Sequence, residues 1–490
     1  MITNGPQLIA YADRFGGSIA GLTQLLNGPL AGVFDGVHIL PFFTPFDGVD
    51  AGFDPQDHAR VDPRLGDWSD VSSLARSELI AADVIVNHMS AESSRFADVV
   101  ARGDQSPWAS MFLTLSSIFP NGVTEEDLAR IYRPRPGLPF TAMKLGGVKR
   151  LVWTTFNPQQ VDLDIRAAAT WDYLTEVIDA LTSAGVGLLR IDAAGYAGKE
   201  AGTDCFMTAS TYAFMTRLAD HIHSRGAKML LEVHGHYRSQ LELAAKMDYV
   251  YDFALPPLVI HALTTGDLAP LAAWLDCRPT NVVTVLDTHD GIGIIDAGPL
   301  DGQPGLLTPA QIDELVIGIH SRSRGSLQAT GAAASNLDLY QVNCTFYDAL
   351  GRDDARYLLA RLIQLFLPGI PQVYYVGLLA GVNDLDLLAE TGSGRDINRH
   401  RYEACEIEQA LTLPVVRAQL AALRLRRDHP AFAGAFRSSF DGTVGDFTWA
   451  QGEEAVSLSF DAADTSFQVR VRQGGAWRVV LTQETLRGSA

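Results

Sequence analysis

The chain has 490 residues, 47% of them hydrophobic and 9% aromatic, more than one ordinary domain needs and enough for large cores. Its formal net charge of −19 argues against nucleic acid as a partner, because the phosphates would be repelled. No run of about 18 uninterrupted apolar residues predicts a membrane helix, and Met1–Pro6 has neither the basic region nor the apolar run of a secretory signal. Cys205, Cys277, Cys344 and Cys405 are scattered without CxxC spacing. That pattern predicts four reduced thiols in a cytoplasmic protein with no structural metal.

Eight apolar runs alternate with helix-length segments: Gln7–Tyr11, Val37–Leu40, Asp83–Val86, Val186–Ile191, Met229–Val233, Tyr249–Tyr251, Val282–Leu286 and Gln372–Tyr375. The alternation predicts an α/β fold, a (β/α)8 TIM barrel. Two connections are too long for a simple crossover. Residues 87–165, after the third strand, include Tyr132-Arg133-Pro134-Arg135-Pro136-Gly137, whose Pro and Gly exclude a long helix. Residues 291–355 follow the seventh strand. Insertions there overhang the face where such barrels keep their chemistry. Near residue 435 the period changes to two, through Phe447–Trp449, Val456–Phe460, Phe467–Val471 and Trp477–Leu481. These runs predict a C-terminal antiparallel β domain, 435–490. The barrel is then expected over 1–86, 166–290 and 356–434.

Three carboxylates follow apolar strands: Asp192 after Gly187–Ile191, Glu232 after Met229–Leu231, and Asp290 after Val282–Leu286. Acids at the carboxyl ends of successive barrel strands converge on one mouth, and burying a carboxylate without partners costs several kcal/mol. One such Asp alone is as well explained as a helix N-cap; three in register are not. Asn87 and His88 end the third strand, Arg190 lies two residues before Asp192, and His289 abuts Asp290. The set suits displacement at a sugar anomeric carbon: one carboxylate attacks, a protonated carboxyl serves the leaving oxygen, and an Arg keeps the nucleophile ionised. His58 and His261, away from these strand ends, are expected to be structural hydrogen-bonders.

The residues Asp83…Asn87-His88, Arg190-Ile191-Asp192-Ala193, Glu232 and His289-Asp290 resemble the four signature regions of the α-amylase-type retaining glycosidases. The resemblance implies Asp192 as nucleophile, Glu232 as general acid/base and Asp290 as transition-state stabiliser, with Arg190, His88 and His289 at the glucosyl subsite. Further segments resemble the sucrose phosphorylase family within that superfamily: Pro41–Gly48, Asp50–Asp54, Tyr132–Leu138, Asp252–Pro257, Asn336–Gln341 and Gly394–Arg399. The likeness runs from about Gln7 to Arg399. Gly235 and His236 depart from the family's pattern on the acceptor side.

That resemblance implies transfer of glucose from sucrose to phosphate, giving α-D-glucose 1-phosphate and D-fructose, with no cofactor and no metal. It implies phosphate contacts from Arg135 and Tyr340, and fructose contacts from Asp338, Leu339, Gln341, Tyr196 and His234. Asp50 and Arg395 are expected at the far end of the glucose ring, with Phe53 and Phe156 as apolar walls. The segment Leu339–Gln341 is expected to move between half-reactions, with Gly325 and Gly331 as hinge points. Lys144 and Lys149 are expected to be surface charges. A cytoplasmic homodimer is also implied, without nucleic-acid or membrane partners. The alternatives are a phosphorylase for sucrose 6′-phosphate or glucosylglycerate, a sucrose hydrolase or transglucosidase, and, from another class, an inactive sugar-binding barrel. Pro134, Leu339 and Gln341 carry no charge, which favours plain sucrose.

Overall fold

The computed structural model describes residues 4–133, 137–300, 302–330 and 341–487. Eight strands form a closed barrel: β1 (Gln7–Ala10), β2 (Gly36–Ile39), β3 (Leu79–Ile85), β4 (Val186–Asp192), β5 (Lys228–Leu231), β6 (Tyr249–Asp252), β7 (Val282–Thr284) and β8 (Ile370–Tyr374). Each pairs in parallel with the next, and β8 closes on β1. The strands read as near-continuous apolar runs because helices cover them outside and side chains fill them inside. The interior also holds a polar layer. Gln372 Nε2 donates to Gln7 Oε1 at 2.9 Å, and the Tyr251 hydroxyl donates to Gln372 Oε1 at 3.2 Å. These partners are buried, so leaving one unmatched would cost stability.

The long connection after β3 is irregular. It carries the helix Ser94–Arg102, a hairpin of Phe140–Leu145 with Val148–Trp153, and a short pairing of His88–Ser90 with Gln160–Asp162. After β7, Ile292–Gly293 pairs with Gln341–Val342, and the helix Pro309–Arg322 starts from a capping box of Thr308 and Gln311. Both insertions stand after the carboxyl ends of their strands.

The C-terminal sheet has five antiparallel strands, β9 (Ala435–Asp441), β10 (Val444–Gln451), β11 (Glu454–Asp461), β12 (Phe467–Gln473) and β13 (Ala476–Thr482). The period-two pattern accounts for four of them and misses β9. That strand is largely exposed, with Phe436 and Phe440 as its half-buried positions, so the alternation fades. Trp449 on β10 donates its indole N–H to the Phe366 carbonyl at 2.6 Å, joining the sheet to the barrel helix Asp354–Phe366.

That helix also steadies the chain after β7. Arg361, fully buried, donates from Nη2 to Asp287 Oδ1 at 3.2 Å and from Nε to Gln419 at 3.1 Å. Asp287 precedes Thr288-His289-Asp290, so the pair anchors the segment that leads to Asp290. A Cβ added at Gly377 would lie 1.9 Å from Asp287 Oδ2, so only glycine fits beside this carboxylate. Replacing Arg361 by Leu strands a buried carboxylate and should destabilise the protein by about 3–5 kcal/mol. The midpoint of urea unfolding for Arg361→Leu, against unmutated protein, checks this.

Candidate active site

The strand register builds the centre of the site. Arg190 on β4 lies directly beside Asp83 on β3, and both point into the barrel. Arg190 Nη1 is 2.6 Å from Asp83 Oδ1 and 2.7 Å from Asp192 Oδ1. The second oxygen of Asp83 meets His38 Nε2 at 2.9 Å. Burial alone would push Asp83 up, but His38 and Arg190 outweigh it and hold the carboxyl well below the usual range. The guanidinium, raised by Asp83 and Asp192 against its own burial, stays charged.

Asp192 differs. Burial pushes its carboxyl up to about 8; Arg190 opposes the shift, while Glu232 and Asp83 add to it. Burial thus outweighs Arg190, against the expectation that the Arg keeps this carboxyl ionised, and as a nucleophile Asp192 would first have to lose a proton. Glu232 follows β5, and its Oε2 accepts the Ala193 backbone N–H at 2.9 Å. Ala193 has φ 54°, a left-handed conformation costly for a residue with a Cβ. Ala51, next to Asp50, has φ 49°. Each of these strained alanines follows a site acid.

Asp290 closes the group from the third side. Its Oδ1 is 2.9 Å from Arg395 Nη1, which also reaches Asp50 Oδ2 at 3.2 Å. Arg399 contacts Asp50 Oδ1 at 3.3 Å and donates from Nε to the His289 carbonyl at 2.9 Å. Burial would raise Asp290, yet Arg395, His289 and Arg399 keep it far below the ordinary range. Asp50 is steadied from behind, since Asp54 accepts the backbone N–H groups of Val49 and Asp50 at 3.0 and 3.3 Å.

Rings wall the cavity. Phe53 stacks on His289 with centroids 4.6 Å apart and 9° between planes. His88 donates from Nε2 to the Phe53 carbonyl, 2.8 Å away, and meets Phe156 edge-on at 5.3 Å. Phe156 in turn meets Tyr196 at 5.1 Å. Burial pushes His88 down and takes His289 to about 3, so both are neutral hydrogen-bonding groups at pH 7. His234 stacks on Phe253 at 3.8 Å, and Glu232, His234 and Asp290 bring one polar atom each within 4.8 Å of one another. Gln341 backs onto Gly291, where an added Cβ would lie 3.0 Å from its own Cβ.

The fold thus brings together Asp192, Glu232, Asp290, Asp50, Phe53, His88, Phe156, Arg190, Tyr196, His234, His289 and Arg395, with Gln341 alongside. Arg135, Asp338, Leu339, Tyr340 and Gly331 lie outside the described residues. His58 and His261 stand apart, bonded to the Asp83 carbonyl at 3.1 Å and to Asp267 at 3.4 Å. Lys144 and Lys149 are exposed.

Three supporting residues escape pattern reading. Lys199 donates to Asn87 Oδ1 at 2.8 Å, to Asp162 at 2.9 Å and to the Tyr196 carbonyl. Its ammonium thus sits against the amide oxygen of Asn87. Asp296 holds His234 from Nδ1 at 2.9 Å. Arg399 lies within the Gly394–Arg399 segment singled out above, but its two-sided grip on Asp50 and His289 has no one-dimensional signal.

Comparison with known proteins matches residues 12–230 to the alpha-amylase catalytic domain family. A sucrose phosphorylase of Bifidobacterium adolescentis is 55% identical over 94% of this chain and 92% of its own length. One from Agrobacterium vitis is 57% identical over 90% and 91%. The crystal structure of sucrose 6F-phosphate phosphorylase from Thermoanaerobacter thermosaccharolyticum aligns with a TM-score of 0.91 at 35% identity, covering 98% of this chain and 99% of that one.

The raised Asp192 carboxyl has a consequence for stability. Its folded value, about 8, exceeds its unfolded value, so folding takes up a proton between roughly pH 4 and pH 8. Stability from this group is present at low pH and is lost as pH rises through that window. Asp192→Asn, which cannot ionise, should therefore lose less stability than the unmutated protein between pH 5 and pH 7.5. Unfolding midpoints of both proteins at the two pH values check the sign.

Proposed function

We propose that this chain, which belongs to the sucrose phosphorylase family of the alpha-amylase superfamily, transfers the glucosyl unit of sucrose to phosphate with net retention. The products are α-D-glucose 1-phosphate and D-fructose. One observation carries the proposal: three carboxylates brought together at the ends of barrel strands sit in three different charge environments. Asp192 shares Arg190 with Asp83, Glu232 rests on a backbone N–H, and Asp290 lies against Arg395.

In the proposed first half-reaction, Asp192 attacks the anomeric carbon while Glu232 protonates the departing fructose oxygen. The bond to fructose breaks as an ester to Asp192 Oδ forms. Asp290, kept ionised by its cations, stabilises the positive charge that develops on the sugar ring. His88, His289, Asp50 and Arg395 are proposed to hold the glucose hydroxyls, with Phe53 and Phe156 against its apolar face. In the second half, phosphate attacks the ester from the side fructose left, and Glu232 accepts its proton. Two inversions leave the anomeric configuration unchanged. Arg135 and Tyr340 are the proposed phosphate contacts, and Tyr196, His234, Asp338, Leu339 and Gln341 the proposed fructose contacts.

The relatives at 55% and 57% identity bear the name sucrose phosphorylase, while the 35% structural relative acts on a phosphorylated sucrose. The identities support plain sucrose as donor. The division into barrel, two insertions and β domain is part of the proposal, as are the cytoplasm as compartment and a homodimer as assembly. Among the described residues no helix is long and apolar enough to cross a membrane.

Sucrose incubated with and without phosphate tests the activity. The unmutated protein should form glucose 1-phosphate when phosphate is present, with free glucose minor. Equal glucose in both tubes and no glucose 1-phosphate would identify a hydrolase. In the same assay Arg135→Ala should lower the phosphate-dependent rate about tenfold to hundredfold, the loss of one charge-assisted contact, while hydrolysis changes little.

A further inference from the structure

His234 lies two residues beyond Glu232, and its two ring nitrogens face acids on opposite sides. Nδ1 is 2.9 Å from Asp296 Oδ2; Nε2 is 3.6 Å from Glu232 Oε1. Asp290 brings a carboxylate oxygen within 4.8 Å of the other two groups. Phe253 covers one ring face at 3.8 Å and 16°. Asp296 is fully buried and is held by more than the imidazole: its Oδ1 accepts from the Gly235 backbone N–H at 3.1 Å and from Gln240 Nε2 at 3.1 Å. A Cβ at Gly293 would lie 2.6 Å from Asp296 Oδ2 and 3.4 Å from His234 Nδ1, so a glycine leaves the room this pair occupies.

The geometry bears on the charge of the ring. A neutral imidazole donates from one nitrogen only, and Asp296 claims that donation at Nδ1. The lone pair would then be left at Nε2, on the side of Glu232. Once Glu232 has given up its proton, that arrangement sets a lone pair against a carboxylate. A second N–H removes the conflict. We propose that Asp296 is a positioning residue that keeps His234 an imidazolium, so that the acceptor side presents a fixed cation to the incoming phosphate. The identity of the anion rests on the phosphorylase reading above.

Among the described residues, the charged groups facing His234 are Asp296 from the insertion after β7, Glu232 from the end of β5 and Asp290 from the segment after β7. Burial alone would push His234 down. The charge and hydrogen bond of Asp296, with Glu232 and Asp290 behind them, outweigh it and hold the ring above its ordinary value. The arrangement also bears on how a chain of net charge −19 admits an anion. A cation held in place beside the attacked carbon acts at contact range, where the diffuse negative charge of the surface is screened.

Two measurements test it. In full-length protein labelled with [13Cε1]histidine, the His234 signal, identified by its loss in His234→Gln, should titrate above the ordinary value of about 6.5. In Asp296→Asn it should titrate at least one pH unit lower. In steady-state assays Asp296→Asn should lower kcat/KM for phosphate tenfold or more, while hydrolysis of α-glucosyl fluoride without phosphate falls less than threefold. A His234 midpoint at or below about 6.5 in unmutated protein overturns the proposal, and that measurement needs no variant to fold. Equal losses in both assays also overturn it, since they would mark a purely structural role. If unmutated protein forms no glucose 1-phosphate, the phosphorylase reading fails separately, and the titration alone decides the role of Asp296.

Discussion

The guanidinium of Arg190 is the constraint on which the site depends. It lies inside the barrel between Asp83 and Asp192, at 2.6 and 2.7 Å, with almost no exposure. Two carboxylates at this depth are tolerable only with a cation between them. The cation in turn needs β3 and β4 in the register that puts Arg190 beside Asp83. A slip of one residue would turn these side chains to the other face of the sheet. Fold and chemistry therefore share one requirement: the register that keeps the barrel interior electrically balanced also aims Asp192 at the cavity.

A second charged frame surrounds the first. Asp50 and Asp290 are bridged by Arg395, with Arg399 joining Asp50 to the His289 carbonyl. The two frames have opposite effects on their acids. Arg395 and its neighbours drive Asp290 far down, whereas Asp192, sharing one Arg with Asp83 and facing Glu232, is driven up. Carboxyls pushed apart in this way can take different roles within one site. The strained Ala193 and Ala51 lie at the same two places, where backbone geometry is set by the acids beside them.

Much of this was legible in one dimension, for a physical reason. A barrel strand is a short apolar run, so Asp192, Glu232 and Asp290, which the fold brings together, could be picked out by looking past each run. The eight runs correspond to β1–β8 of the closed barrel. Lys199 and Asp296 were not legible. Each is a single charged residue in a connection, with partners as far as 112 and 62 positions away. The strand β9 was missed because Ser438 interrupts the alternation between Phe436 and Phe440. The period-two signal comes from burying one face, and β9 buries little.

The central claim is that Asp192 forms a covalent bond to glucose. Its most direct test is intact-protein mass spectrometry of Glu232→Gln incubated with α-glucosyl fluoride. Fluoride leaves without acid help, so the first step proceeds, while loss of the general base slows breakdown of the ester. The account predicts a mass increase of one glucosyl residue, mapped by peptide digestion to Asp192. No adduct under turnover conditions, or an adduct on another residue, would contradict it.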